Sequence, residues 1–344
     1  MPLQSDLNLS RDKFLGDAIT KETTALNEQL IDTMSGLPRW YEVGAEKYRQ
    51  MRWNNETALP RPPSLENGED RAIPSRERGR TIPARVFRPE NRTPRGTFLH
   101  IHGGGWVLQS EKYQDEYLDF LARKGNLAVV SVGYRLAPEH PFPSGPEDCY
   151  DAADYVLENA EKEFGAPLLF IGGESAGGHL SVLTLLHLHN KHTIWTLPPN
   201  GGLVLHFGCY DASNFLPAAH HFTKPLIIDW DLLISFQKAF LPNTTAEERA
   251  HWSISPLYAD WLKVAAEMRA RGAPGLPRAL FTVGTEDPLL DDSVFMAAKW
   301  QIAGGEGILK VYPGAPHGFI SFAEKGVPVA IECLRDTEAF LVSD

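Results

Sequence analysis

The sequence predicts an α/β protein with a mainly parallel central sheet flanked by helices. Three observations carry the prediction. From Ile82 onward, seven short runs rich in β-branched and other apolar residues recur along the chain. Segments of helical apolar spacing separate most of them, and 344 residues suffice to bury a large core. Strands that alternate with helices in this way pair in parallel and are covered on both faces.

Residues 1–65 read as helices without a strand partner, through DKFLGDAITKETTALNEQLIDTM and then WYEVGAEKYRQM. The stretch LPRPPSLENGEDRAIPSRERGR that follows is rich in proline and charge and reads as a loop or linker. The runs IPARVF, GTFLHIH, NLAVVSVGY, PLLFIGG, GGLVLHFG, RALFTVG and ILKVYP read as strands, with PEDCYDAADYVLENAEKEF and SAGGHLSVLTLLHLH as helices between them. One stretch breaks the alternation. About 70 residues separate GGLVLHFG from RALFTVG, and a connection of that length carries structure or function of its own. Its aromatic residues, among them Phe215, Phe222, Trp230, Phe236 and Phe240, are expected on helices of a cap over the carboxyl edge of the sheet, completed by the N-terminal helices.

Composition removes several classes of function. Apolar residues at 43% and charged residues at 22% exclude a largely disordered chain. A net charge of −11 repels phosphate backbones and anionic headgroups, so no nucleic-acid partner is expected. No run of apolar residues is long enough to span a membrane, and MPLQSDLNLSRDKF lacks the basic and apolar segments of a signal peptide. Three scattered cysteines, Cys149, Cys209 and Cys333, form neither a disulfide framework nor a zinc pattern. A cytoplasmic setting is expected.

The strongest local signal is Gly173-Glu174-Ser175-Ala176-Gly177, which follows an apolar run and precedes a helical segment. A nucleophile elbow needs that context: a sharp strand-to-helix turn presents the serine hydroxyl, and small flanking residues let neighbouring backbone pass closely. A serine requires a base, an acid to orient the base, and donors for an oxyanion. His102-Gly103-Gly104-Gly105-Trp106 follows a strand, so Gly103 and Gly104 are candidate oxyanion donors, with Ala176 N–H as the third. A phosphate-cradling role for these glycines lacks its motif, since neither GxxxxGK[ST] nor GxGxxG occurs. Asp287 and His317 fall just beyond the ends of two late strands, in the chain order Ser, Asp, His. Glu286, Asp291 and Asp292 compete for the acid role, although Asp291 and Asp292 suit the first turn of the helix DSVFMAAKWQ. His187, His189 and His192 suit the carboxyl end of the nucleophile helix, and their spacing does not make a metal site. His179 is expected to pack at the start of that helix.

Taken together, HGGGW at 102–106, YRLAPEHPFP at 134–143 followed by Asp148, GESAGG at 173–178, EDPLLDD at 286–292 and PHGF at 316–319 resemble the hormone-sensitive-lipase-like branch of the α/β hydrolases. The resemblance covers residues 80–340. It implies an α/β-hydrolase fold with a helical cap, and a serine carboxylesterase that hydrolyses short to medium acyl esters without a metal or organic cofactor. It implies a small-molecule ester as the partner, and dimers occur in the branch. Residues 1–65 are then the N-terminal part of the cap. Residues 66–205 form the core with oxyanion loop and nucleophile elbow, 206–258 the cap insertion, and 259–344 the core with the acid and histidine loops. Trp106, Glu174 and Trp230 are candidate substrate-binding residues. Arg135, Glu139 and Asp148 are expected to form an ion-pair network beneath the oxyanion loop. Glu174 stands where the branch often has Asp or Thr, and its longer side chain is expected to reach a different partner. An amidase, arylformamidase or lactonase shares the same acyl chemistry, and a non-catalytic small-molecule receptor is the alternative of another class.

Overall fold

The computed structural model describes residues 7–57, 59, 61–192 and 197–343; residues 1–6, 58 and 60 of the expected N-terminal segment, 193–196 and 344 lie outside the described residues. Eight strands form one sheet: β1 Glu69–Pro74, β2 Thr81–Phe87, β3 Gly96–Ile101, β4 Leu127–Val132, β5 Leu168–Glu174, β6 Gly202–His206, β7 Ala279–Glu286 and β8 Gly307–Pro316. Their spatial order is β1-β2-β4-β3-β5-β6-β7-β8. β2 pairs antiparallel with β1 and β4, and every pairing from β4 through β8 is parallel. Every residue of β3, β4, β5 and β6 is buried, which is why these strands read as unbroken apolar runs.

β1 corrects the reading of its segment as a linker. It is an edge strand on which Ile73 alone is buried, so only one apolar residue marks it and its charged side chains face solvent.

Twelve α-helices are described: α1 Lys21–Ser35, α2 Trp40–Val43, α3 Ala45–Trp53, α4 Asp115–Gly125, α5 Ser144–Phe164, α6 Ala176–Lys191, α7 Pro217–His221, α8 Trp230–Phe240, α9 Ala246–Arg249, α10 Trp261–Ala270, α11 Leu290–Ile302 and α12 Pro328–Val342. Leu118 and Leu121 of α4 join Phe340 and Leu341 of α12 in a core that includes Phe98, Phe170 and Val204 of the sheet. Val156 of α5, Leu180 of α6 and Met296 of α11 belong to the other, larger core with Leu99, Ile171 and Leu205. Alternate residues of one strand therefore serve opposite cores, as the two-residue period of a strand requires.

The first expected N-terminal helix is shorter than its apolar spacing suggests. Two 3-10 turns, Arg11–Phe14 and Gly16–Ala18, precede α1, whose start is capped by the Thr20 hydroxyl accepting from Thr23 N–H at 3.2 Å. Gly44, at φ 91°, breaks the second expected helix into α2 and α3. The N-terminal segment meets the insertion between β6 and β7. Trp40 of α2 stacks on Phe236 of α8 with ring centroids 5.5 Å apart, and Arg39 Nη2 donates to Asp229, the α8 cap, at 2.6 Å. Asn27 of α1 donates to Gly314 O of β8 at 2.8 Å, which fixes the same segment to the core. Among the described residues no helix is long and apolar enough to cross a membrane.

Candidate active site

β5 carries the chain to Glu174, α6 begins at Ala176, and Ser175 makes the turn between them at φ 56°, ψ −117°. That positive φ is a strained backbone for a residue with a Cβ. Two glycines make room for it. A Cβ on Gly173 or on Gly177 would lie 1.9 Å from Ile101 O at the end of β3, so the turn packs against the neighbouring strand with no space for a side chain. Ser175 N–H donates to His206 O of β6 at 2.9 Å and anchors the turn on its other side.

Around this hydroxyl the structure brings together the residues that the sequence singled out. His317 Nε2 lies 2.8 Å from Ser175 Oγ, and His317 Nδ1 lies 2.9 Å from Asp287 Oδ2. Asp287 is 2% exposed, and its Oδ1 accepts from Leu289 N–H at 2.8 Å. An ionised carboxylate can only accept, so it fixes the proton on Nδ1 and turns the Nε2 lone pair toward Ser175. Phe207 packs edge-on against the imidazole, with centroids 4.8 Å apart.

The competing acids are committed elsewhere. Glu286 pairs with Lys224 at 2.6 Å, and Asp291 accepts from Ala218 N–H at 2.9 Å. Asp291 and Asp292 both stand in the first turn of α11, as the sequence reading expects, but the Asp292 carboxylate does not cap that helix. Its Oδ1 accepts from the N–H groups of Tyr210 and Asp211 at 2.5 and 2.8 Å, and so holds the chain that leaves β6.

The glycine loop after β3 is braced on every side. Gly104, at φ 97°, accepts from Val107 N–H and Leu108 N–H at 3.2 and 2.8 Å. Tyr134 Oη donates to His102 O at 3.0 Å, with Gly103 O at 3.3 Å. Ala137 N–H donates to Trp106 O at 2.9 Å. With these carbonyls engaged, the N–H groups of Gly103, Gly104 and Ala176 have no acceptor among the described residues. The YRLAPE segment thus shapes the loop, a role its spacing did not reveal. Asp148 accepts from Arg135 N–H, Nε and Nη2 at 3.0 Å each and also pairs with Arg80. Glu139 stands outside that expected network. It pairs with Arg49 of α3 at 2.6 Å, and Arg49 also donates to Val107 O at 2.8 Å, tying an N-terminal helix to the glycine loop.

A cavity of about 370 Å³ opens above Ser175, lined by the glycine loop and by side chains of α1–α3 and α8. Trp106 and Glu174 are among its lining residues, but their polar atoms face the protein. Trp106 Nε1 donates to His179 Nδ1 at 3.1 Å, His179 Nε2 donates to Ile254 O at 2.7 Å, and the indole stacks on Phe240. The Glu174 carboxylate, 4% exposed, accepts from His100 Nε2 at 3.1 Å, and His100 Nδ1 meets Ser131 Oγ at 2.9 Å. Burial pushes the Glu174 carboxyl up, yet the adjacent His100 outweighs it and holds the group below its ordinary value. Trp230 is not part of the cavity wall. It packs against Phe215 and His220, and Leu232, Leu233 and Phe236 of the same helix line the cavity instead. A helix start with a buried stripe at 232, 233 and 236 turns Trp230 away from that stripe.

The three histidines at the carboxyl end of α6 meet carboxylates. His187, Lys191 and His192 surround Asp154 at 3.0, 2.7 and 2.8 Å, and His189 meets Glu267 at 2.9 Å. Among the described residues no group of three or more His, Cys, Asp or Glu is arranged to hold a metal ion.

Burial lowers His102, His179 and His206 to about 4 from the ordinary histidine value. In the unfolded chain each titrates near ~6.5. Their neutral burial therefore stabilises fully above about pH 6.5 and is lost as pH falls toward about 4, on the order of 3 kcal/mol per histidine. Asp292, raised by burial, works in the opposite direction. The urea midpoint is expected to fall markedly between about pH 7.5 and about pH 4.5. An unchanged midpoint would mean that these imidazoles bind protons in the fold.

Comparison with known proteins follows the same geometry. Residues 98–321 match a family model described as alpha/beta hydrolase fold. The chain is 31% identical over 255 residues to the carboxylic ester hydrolase LipN of Mycobacterium tuberculosis, covering 71% of this chain and 62% of LipN. It is 29% identical over 267 residues to an ethyl acetate hydrolase of Pseudomonas putida, covering 75% of this chain and 79% of that protein. A hyperthermophilic esterase from the archaeon Pyrobaculum calidifontis superposes with a TM-score of 0.78 at 26% identity, over 92% of this chain and 96% of the esterase.

Proposed function

The chain belongs to the α/β-hydrolase family, in its hormone-sensitive-lipase-like branch, and on that premise we propose that it is a serine carboxylesterase acting on short to medium acyl esters. The observation that carries the proposal is the continuous Asp287–His317–Ser175 hydrogen-bond chain at the floor of the cavity. In this reading Ser175 Oγ attacks the ester carbonyl carbon while His317 Nε2 takes its proton, and Asp287 stabilises the imidazolium. The tetrahedral oxyanion accepts from the Gly103, Gly104 and Ala176 N–H groups, the last at the start of α6 where the helix dipole favours negative charge. His317 then protonates the leaving alkoxide as the C–O bond breaks. Water attacks the acyl-enzyme, His317 takes the water proton, and collapse releases the acid and restores Ser175.

The N-terminal helices and the β6–β7 insertion act in this reading as a two-part cap that bounds the acyl pocket. Their aliphatic and aromatic side chains, with about 370 Å³ of space, favour short and medium acyl groups. Purified protein is expected to turn over p-nitrophenyl butyrate and hexanoate faster than the palmitate, and an aryl ester faster than the matched anilide or lactone. A higher kcat/KM on the anilide or the lactone would move the assignment to an amidase or lactonase. Ligand binding without turnover would move it to a receptor.

A further inference from the structure

Among the described residues, several cations of the cavity wall have no ion-pair partner, and one of them is almost fully buried. Arg52 of α3 lines the cavity and is only 8% exposed. Its Nε is buried without a partner, and among the described residues nothing accepts a hydrogen bond from its guanidinium. Its near neighbour is the ring of Tyr113, whose centroid lies 5.2 Å from Cζ. The contrast with Arg85, equally buried, is instructive. Arg85 donates to Asp115, Asp70, Gly68 O and Leu65 O, which together satisfy the whole group. A buried guanidinium without an acceptor is unfavourable, and burial accordingly lowers the pKa of Arg52.

The wall around Arg52 repeats the pattern. The hydroxyls of Tyr48 and Tyr113, both lining the cavity, have no hydrogen-bond partner among the described residues. Arg61 places its guanidinium over the Trp53 ring at 4.1 Å. Arg39 reaches Asp229 through Nη2, but its Nη1 is buried without a partner. The acidic lining residues do not answer these cations: Glu174 is taken by His100, and Glu116, whose carboxyl is raised by burial and by the neighbouring Glu324, pairs with none of them. In a chain of net charge −11, this wall of the cavity is positive and rich in free donors.

Resting on the esterase assignment, we propose that the substrates carry a carboxylate remote from the scissile ester, bound by Arg52 with Tyr48 and Tyr113. Half-esters of dicarboxylic acids, or esters whose leaving alcohol bears a carboxylate, have this chemistry. A planar guanidinium matches a carboxylate with two parallel hydrogen bonds, and the site is already desolvated, so the pairing is strong and selective. A neutral ester leaves the donors unpaired and is discriminated against.

Two matched pairs test it: mono-p-nitrophenyl adipate against p-nitrophenyl hexanoate, with the carboxylate on the acyl side, and 4-acetoxybenzoate against 4-methylphenyl acetate, with it on the leaving group. In one pair the anionic ester is expected to be favoured in kcat/KM by roughly 10- to 100-fold. Arg52→Met is expected to lower that ratio at least about tenfold and Arg52→Lys to lower it less. Titration of Ser175 with a neutral phosphonate counts the folded sites in each protein. No anionic preference in either pair, or a preference unchanged in Arg52→Met, overturns the proposal. A readout without turnover separates it from the esterase assignment. Monomethyl adipate is expected to bind Ser175→Ala at least about tenfold more tightly than Ser175→Ala/Arg52→Met. Equal binding overturns the role of Arg52 whether or not either ester is hydrolysed.

Discussion

Ser175→Ala is expected to lower kcat on p-nitrophenyl butyrate by about 10⁶-fold, leaving the residue of rate that oxyanion donors and binding sustain alone. The size of the loss follows because, among the described residues, Ser175 is the one hydroxyl joined to the His317–Asp287 pair. Cys209 lines the cavity, but burial pushes its thiol well above the ordinary range and keeps it protonated. Cys149 and Cys333 are buried, and burial raises both thiols in the same way. The fold is expected to survive, because among the described residues the only side-chain hydrogen bond removed is the one to His317, and stability read from urea unfolding should change by no more than about 1 kcal/mol. Retention of a tenth of the activity would remove Ser175 from the chemistry.

Asp287→Asn is expected to lower kcat by about 10⁴-fold with little change in KM. The direction follows from both carboxylate oxygens. Leu289 N–H donates to Oδ1, so the asparagine must keep its carbonyl on that side and present its amide N–H₂ to His317 Nδ1. Two donors cannot face each other. The imidazole then moves its proton to Nε2, points it at Ser175 and ceases to be a base. Glu286→Gln provides the control. Its carboxylate pairs with Lys224 and does not touch His317, so kcat is expected to remain within about threefold. Equal losses in the two variants would contradict the assignment of Asp287 as the orienting acid.

Much of this arrangement is legible in sequence because parallel strands buried on both faces have to be apolar, and because the side chains of interest follow directly at their carboxyl ends. Gly103, Ser175, Asp287 and His317 each stand a few residues beyond such a run. β1 was hidden by the opposite circumstance, an edge strand with Ile73 as its one buried residue. Other features depend on partners distant in the chain. Glu139 and Arg49 are 90 residues apart, and Asp292 reaches Tyr210 across 82, so no local pattern announces either contact. The aromatic ring of Trp230 is legible in the sequence, but the direction in which a helix start presents it is settled by packing against Phe215 and His220. Arg52 was invisible for a different reason. Its importance lies in the partner it lacks, which emerges once the whole cavity wall is assembled.

The most direct measurement is the mass of the intact protein after reaction with a neutral p-nitrophenyl phosphonate, followed by peptide mapping. One phosphonyl group per chain is expected, on Ser175, with p-nitrophenol released in equal amount, and His317→Ala is expected to slow the labelling by several orders of magnitude. Full ester turnover by a protein that stays unlabelled, or that carries the label on another residue, would contradict Ser175 as the nucleophile.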